Sequence, residues 1–173
     1  MRLHNPVFYL LSNILRLRNT PMAKFLTQEQ EEDIVEAIRQ AEQATSGEVR
    51  VHIEKKCKTE NPIDRAKEVF AELKMHETEF RNGVIVYVAW KDHKVAIWGD
   101  EGIHSKVGQS FWEEELELIL KYFKAGDYQT GLTEVVLQIG QKLKENFPYD
   151  QKGEVNELSN KISYNKDEGK KDA

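Results

Sequence analysis

Residues 84–90 read Val-Ile-Val-Tyr-Val-Ala-Trp, seven apolar residues in a row between Arg81-Asn82-Gly83 and Lys91-Asp92-His93. The run is far too short to cross a bilayer. It has no polar face to offer water, so it predicts a central strand covered on both sides. Such a strand needs a helical layer on each face of its sheet, and the rest of the chain must supply those layers.

The flanking periodicities do supply them. Phe25-Leu26 precede Thr27, with Gln30 three residues on, the pattern of a capping box; Ile34, Val35, Ile38 and Ala41 then share one helical face up to Ser46-Gly47. From Glu48 to Lys55 the period becomes two: Val49, Val51 and Ile53 alternate with Arg50, His52 and Glu54, predicting a strand with one apolar and one polar, partly exposed face. Asn61-Pro62 caps a helix whose buried stripe is Ile63, Ala66, Val69, Phe70 and Leu73. Lys94–Trp98 is the hairpin partner of the central strand. A long amphipathic helix follows Gly108, and another runs from Asp127 to Phe147-Pro148. The order α-β-α-β-β-α-α predicts an α/β fold, a three-layer αβα sandwich. Its small mixed sheet combines one βαβ crossover with a hairpin. Trp90, Trp98 and Trp112 end apolar runs or lie on the apolar helix face, which favours packing over partner anchoring.

Composition bounds the function. Apolar residues make up 39% and charged residues 32%, enough for a core under a well-solvated surface. A net charge of −5 without a basic stripe argues against nucleic acid. The single cysteine, Cys57, sits among Lys55, Lys56 and Lys58 and reads as a strand-end thiol rather than a nucleophile. Residues 1–23 read as a flexible N-terminal extension, with Met22-Ala23-Lys24 resembling a second start. No signal peptide or transmembrane segment is legible, and the expected location is the cytoplasm. The domain is expected over residues 24–149. Residues 150–173 are polar and charged, and are expected to form a disordered tail.

Five segments carry a family resemblance. Thr45-Ser46-Gly47-Glu48-Val49-Arg50-Val51, then Thr78 with Arg81-Asn82-Gly83-Val84-Ile85-Val86-Tyr87-Val88, then Ala96-Ile97-Trp98-Gly99-Asp100-Glu101-Gly102-Ile103 follow in order. Phe111-Trp112 and Phe123 with Gly126-Asp127-Tyr128, Gly131-Leu132 and Phe147-Pro148 complete the pattern. Together they resemble the TPM domain over roughly residues 27–149. The resemblance implies an αβα sandwich of the short, soluble bacterial type. Some members are described as lumenal acid phosphatases linked to photosystem repair, others as divalent-metal binders or partners of membrane proteins. A protein partner, membrane-associated in some members, is therefore implied here too.

The residues themselves point to one place. In Gly99-Asp100-Glu101-Gly102 two carboxylates leave a strand end, and hard oxygen donors suit calcium first, with magnesium or zinc as alternatives. If the strand ends converge, Glu48 and Asn82 share that cleft; ligands in α/β sheets favour strand ends. Equally, Asp100 and Glu101 are what any exposed turn prefers. Arg81 is either an anion contact or an ion-pair partner of Glu77 or Glu79. His104, just past the turn, is a ligand candidate or an exposed loop histidine. No nucleophile signature of a phosphatase is present. The expectation is a divalent-metal-binding interaction or regulatory module. A metal-dependent phosphatase and a metal-free structural adaptor are the alternatives.

Overall fold

The computed structural model describes residues 9–10, 25–148 and 159–165. Its elements are β1 (Tyr9–Leu10), α1 (Gln28–Glu42), β2 (Glu48–Glu54), α2 (Pro62–Glu72), a 3-10 turn (Met75–Glu77), β3 (Gly83–Ala89), β4 (Lys94–Gly99), α3 (Glu101–Lys124), α4 (Tyr128–Asn146) and β5 (Ser163–Tyr164). Among the described residues the sheet order is β1-β4-β3-β2-β5. β2 and β3 run parallel from the pair Glu48–Gly83 to the pair Glu54–Ala89, and β4 returns antiparallel beside β3.

The apolar run does lie at the centre. Every residue of β3 is buried. Val84, Val86 and Val88 face the larger core, shared with α1, α3 and α4. Ile85, Tyr87 and Ala89 face α2, packed against Ile63, Ala66, Val69 and Phe70. Helices therefore cover both faces, as a doubly buried strand demands. The capping box at α1 is complete, with Thr27 Oγ1 accepting from the Gln30 amide and the Gln30 side chain accepting from Thr27 N. Asn61 caps α2 with Pro62 at its first position. Trp112 is fully buried, while Trp90 and Trp98 are half-buried against the sheet.

Three expectations are corrected. The polar face of β2 is not exposed: all seven residues of the strand are buried. Arg65 of α2 reaches across to Glu54 at 2.9 Å, and Tyr87 Oη donates to the same carboxylate at 2.5 Å. His52 lies ring-to-ring against Tyr87 at 6.0 Å. Secondly, the helix expected after Gly108 is preceded by a further helical segment from Glu101, where a turn was expected; the two meet at Gly108, whose φ 74° and ψ 179° are not helical. Thirdly, the tail is not disordered at residues 159–165, where Ser163 and Tyr164 pair in parallel with His52 and Ile53. In the N-terminal extension, Tyr9–Leu10 pairs with Lys94–Val95. The remaining residues of both ends lie outside the described part. Among the described residues no helix is long and apolar enough to cross a membrane.

Glu115 of α3 is buried, one carboxylate oxygen has no hydrogen-bond partner, and burial beside Glu114 raises its pKa to about 7, Lys142 offsetting this only in part. A carboxyl whose folded pKa is raised favours the folded state while protonated, so its contribution is lost as pH rises from the unfolded value through about 7. Glu115→Gln is therefore expected to stabilise the protein at pH 8 by about 1–3 kcal/mol and to change little at pH 4. Urea denaturation at both pH values measures the difference; an equal effect at both would refute the assignment.

Candidate functional site

The parallel register of β2 and β3 brings Glu48 level with Gly83, and the hairpin sets Gly99 opposite Val84. The strand ends thus converge as the sequence suggested: Glu48, Asn82 and Asp100 lie at one edge of the sheet. The edge is the amino end of the parallel pair, however, whereas the rule for α/β sheets favours the carboxyl ends. The acidic turn owes its place to the antiparallel return of β4.

Gly99-Asp100-Glu101-Gly102 is not an open turn. Asp100 is the N-cap of α3, and its Oδ1 accepts from the Glu101 amide at 2.8 Å. Its carboxylate is also gripped by Arg81, with Nε to Oδ2 at 2.7 Å and Nη2 to Oδ1 at 2.9 Å. Both oxygens are therefore engaged. The Asp100 side chain is 6% exposed and that of Arg81 is 49% exposed, so a nearly buried anion is held by a cation that reaches in from solvent. The partner of Arg81 is Asp100, not Glu77 or Glu79, and this pairing raises the Arg81 pKa further.

Backbone geometry enforces the clamp. Arg81 sits at φ 51°, a left-handed conformation that strains a residue carrying a Cβ. That twist turns its carbonyl toward the start of α3, where it accepts from Gly102 N at 2.8 Å. A side chain on Gly102 would place Cβ 2.0 Å from the Phe80 carbonyl oxygen. Glycine at 102 is what lets α3 seat against this bend.

The other expected residues divide. Asn82 is fully buried; its amide donates to Ser46 Oγ at 3.2 Å, while its Oδ1 has no hydrogen-bond partner. Thr78 Oγ1 is likewise buried and without a partner. Glu101 is exposed in the first turn of α3. Glu48 is buried and shares a hydrogen bond with Glu42; burial raises the Glu42 pKa to about 6, against hydrogen bonds from Val49 N, Asn160 and Glu48. The structure thus ties Glu48 to Glu42 rather than to Asp100. His104 is a half-buried helix residue whose Nδ1 accepts from Trp112 Nε1 at 3.0 Å, not an exposed loop histidine. Ser46 and Thr78 escaped the reading of the sequence although both lie in the quoted motifs. Glu42 carried no signal, being one more acid in the last turn of a helix.

By donor type the edge fits a hard cation: Asp100, Glu101 and Glu48 offer carboxylates, and Asn82 an unused amide oxygen. By number it is not a ready-made cage. Among the described residues no three His, Cys, Asp or Glu side chains come together closely enough to hold a metal ion.

A mixed sheet between helical layers, with an acid-capped helix clamped at its amino end, defines a small αβα sandwich domain. The TPM domain model matches residues 20–142, and the chain belongs to that family. It is similar to the BA42 protein from the psychrophilic bacterium Bizionia argentinensis, whose NMR structure is 42% identical with a TM-score of 0.76 and is aligned over 83% of this chain and 98% of that one. No curated protein matches it.

Proposed function

We propose that this chain is an interaction or regulatory module of the TPM family whose working site is the amino edge of its sheet, where a hard divalent cation, calcium first, takes Asp100. The observation that carries this reading is the inequality of the Arg81–Asp100 pair: the anion is nearly buried, the cation half-exposed. Arg81 reaches Asp100 from the solvent side, so it can swing back into water without crossing the core, at the cost of its two hydrogen bonds. Once it has left, Asp100 and the neighbouring Glu101 face any incoming cation, and Asn82, just before the adjacent strand, has an unused Oδ1. Glu48 contributes only by leaving Glu42. So few ligands imply weak binding, on the order of millimolar.

Titrating calcium into isotope-labelled protein tests this. Amide shifts are expected at residues 81–82 and 99–104, saturating at roughly millimolar calcium, and Asp100→Asn is expected to abolish them. Shifts spread evenly over surface carboxylates would contradict the proposal. A phosphomonoester assay with and without chelator belongs beside it. A phosphatase working here would lose its activity in Asp100→Ala; activity unchanged by that substitution would move catalysis elsewhere.

A further inference from the structure

The burial of the polar side chains of β2 has two sources. α2 lies over β3 and β4, and covers β2 only through Arg65. Yet Arg50 is 7% and His52 4% exposed. What covers them is residues 159–165. Arg50 Nη1 donates to the Lys161 carbonyl at 3.0 Å, and His52 Nδ1 lies 2.9 Å from Ser163 Oγ. The Asn160 amide donates to the Glu42 carboxylate. Ile162, the one aliphatic residue of the segment, packs against the main core.

On the domain side the polar contacts come from groups in α1 and β2, Glu31 among them, whose carboxylate accepts from Tyr164 Oη at 2.5 Å. On the tail side they come from a short segment of a charged, polar sequence. The backbone pairing joins two residues of β5 to two of the seven in β2. A contact that specific and that small is suited to exchange. Parallel addition of an extended peptide to an exposed strand edge is a recurrent recognition mode, with main-chain bonds supplying affinity and alternate side chains supplying specificity.

We propose that the outer edge of β2 is a peptide-docking site, and that residues 160–164 are its built-in occupant, held there until an extended segment of a partner protein with the same chemistry displaces them. That segment carries an amide side chain opposite Glu42, an aliphatic residue two positions on, and a hydroxyl residue opposite His52. The site meets the Arg81–Asp100 edge only through Glu42, which bonds both Asn160 and Glu48, and it does not require a cation at that edge.

The test uses the full chain, isotope-labelled, and a synthetic peptide copying residues 159–165. Two variants release the tail by different means: Ile162→Asp removes the apolar anchor, and Ser163→Pro blocks strand pairing. Both are expected to shift the amides of Val49–Ile53, and added peptide is expected to restore the wild-type positions. The wild-type chain is expected to bind the peptide at least tenfold more weakly, because its tethered copy competes at an effective concentration of order millimolar. Unchanged β2 amides in both variants would show that the tail does not dock there. Failure of several-millimolar peptide to restore them, or loss of the fold in both variants, would equally overturn the proposal, since an exchangeable occupant is not a structural necessity.

Discussion

Arg65→Ala is expected to cost about 3–5 kcal/mol of folding stability, the usual cost of stranding one charge of a buried ion pair. Glu54 has no exposed surface, and Arg65 meets both of its oxygens, at 2.9 and 3.3 Å. Burial alone would push the Glu54 carboxyl up. Hydrogen bonds from Arg65 and Tyr87, with the charge of Arg65 and the His52 ring 3.8 Å away, outweigh it and hold the pKa at about 2. A carboxyl depressed in this way stabilises the fold above its unfolded pKa, and that stability is lost as pH falls toward about 2. Arg65→Ala should therefore also flatten the acid limb of the stability profile. Replacing both partners, Glu54→Leu with Arg65→Met, removes the charge along with its partner and should recover most of the loss. Urea denaturation of the three proteins measures it. A loss below 1 kcal/mol in Arg65→Ala would mean that the pair is solvated rather than buried.

Gly102→Ala should be the most damaging conservative change at the sheet edge. The added methyl would lie 2.0 Å from the Phe80 carbonyl oxygen and 2.7 Å from that of Arg81, both backbone atoms that cannot rotate away. The first turn of α3 has to lift, breaking the bond from Gly102 N to the Arg81 carbonyl and drawing Asp100 out of the Arg81 fork. Overpacking of this kind costs about 3 kcal/mol. By contrast, Gly126→Ala, where a methyl meets nothing within 4 Å, should cost only the strain of its left-handed φ of 79°. Thermal denaturation of the two variants separates these causes; equal losses would remove the close-approach argument.

Most of the fold was legible because its signals are local. The apolar run of β3, the Thr27–Gln30 box and the Asn61-Pro62 cap each lie within a few residues of what they determine. What was not legible depends on partners distant in sequence. The period-two pattern of β2 reads as half-exposed until Arg65, 11 residues on, and Ser163, 111 residues on, are known to cover it. The candidate site shows the same division. Strand order, which is not readable in the sequence, brought Glu48, Asn82 and Asp100 to one edge. The sequence could not show that Arg81 would take Asp100, because the pairing depends on a left-handed turn at Arg81 itself. Nor could it show that Glu48 would turn to Glu42.

Under the proposed function, Arg81 is the resident counter-charge of Asp100 with which calcium competes. Calorimetric titration of calcium into the wild-type chain and Arg81→Ala tests this most directly. Removing the competitor is expected to tighten calcium binding roughly tenfold, equivalent to about 1.4 kcal/mol, with Asp100→Asn silent in either background. Equal affinity in wild type and Arg81→Ala, or no binding to either at millimolar calcium, would contradict the account.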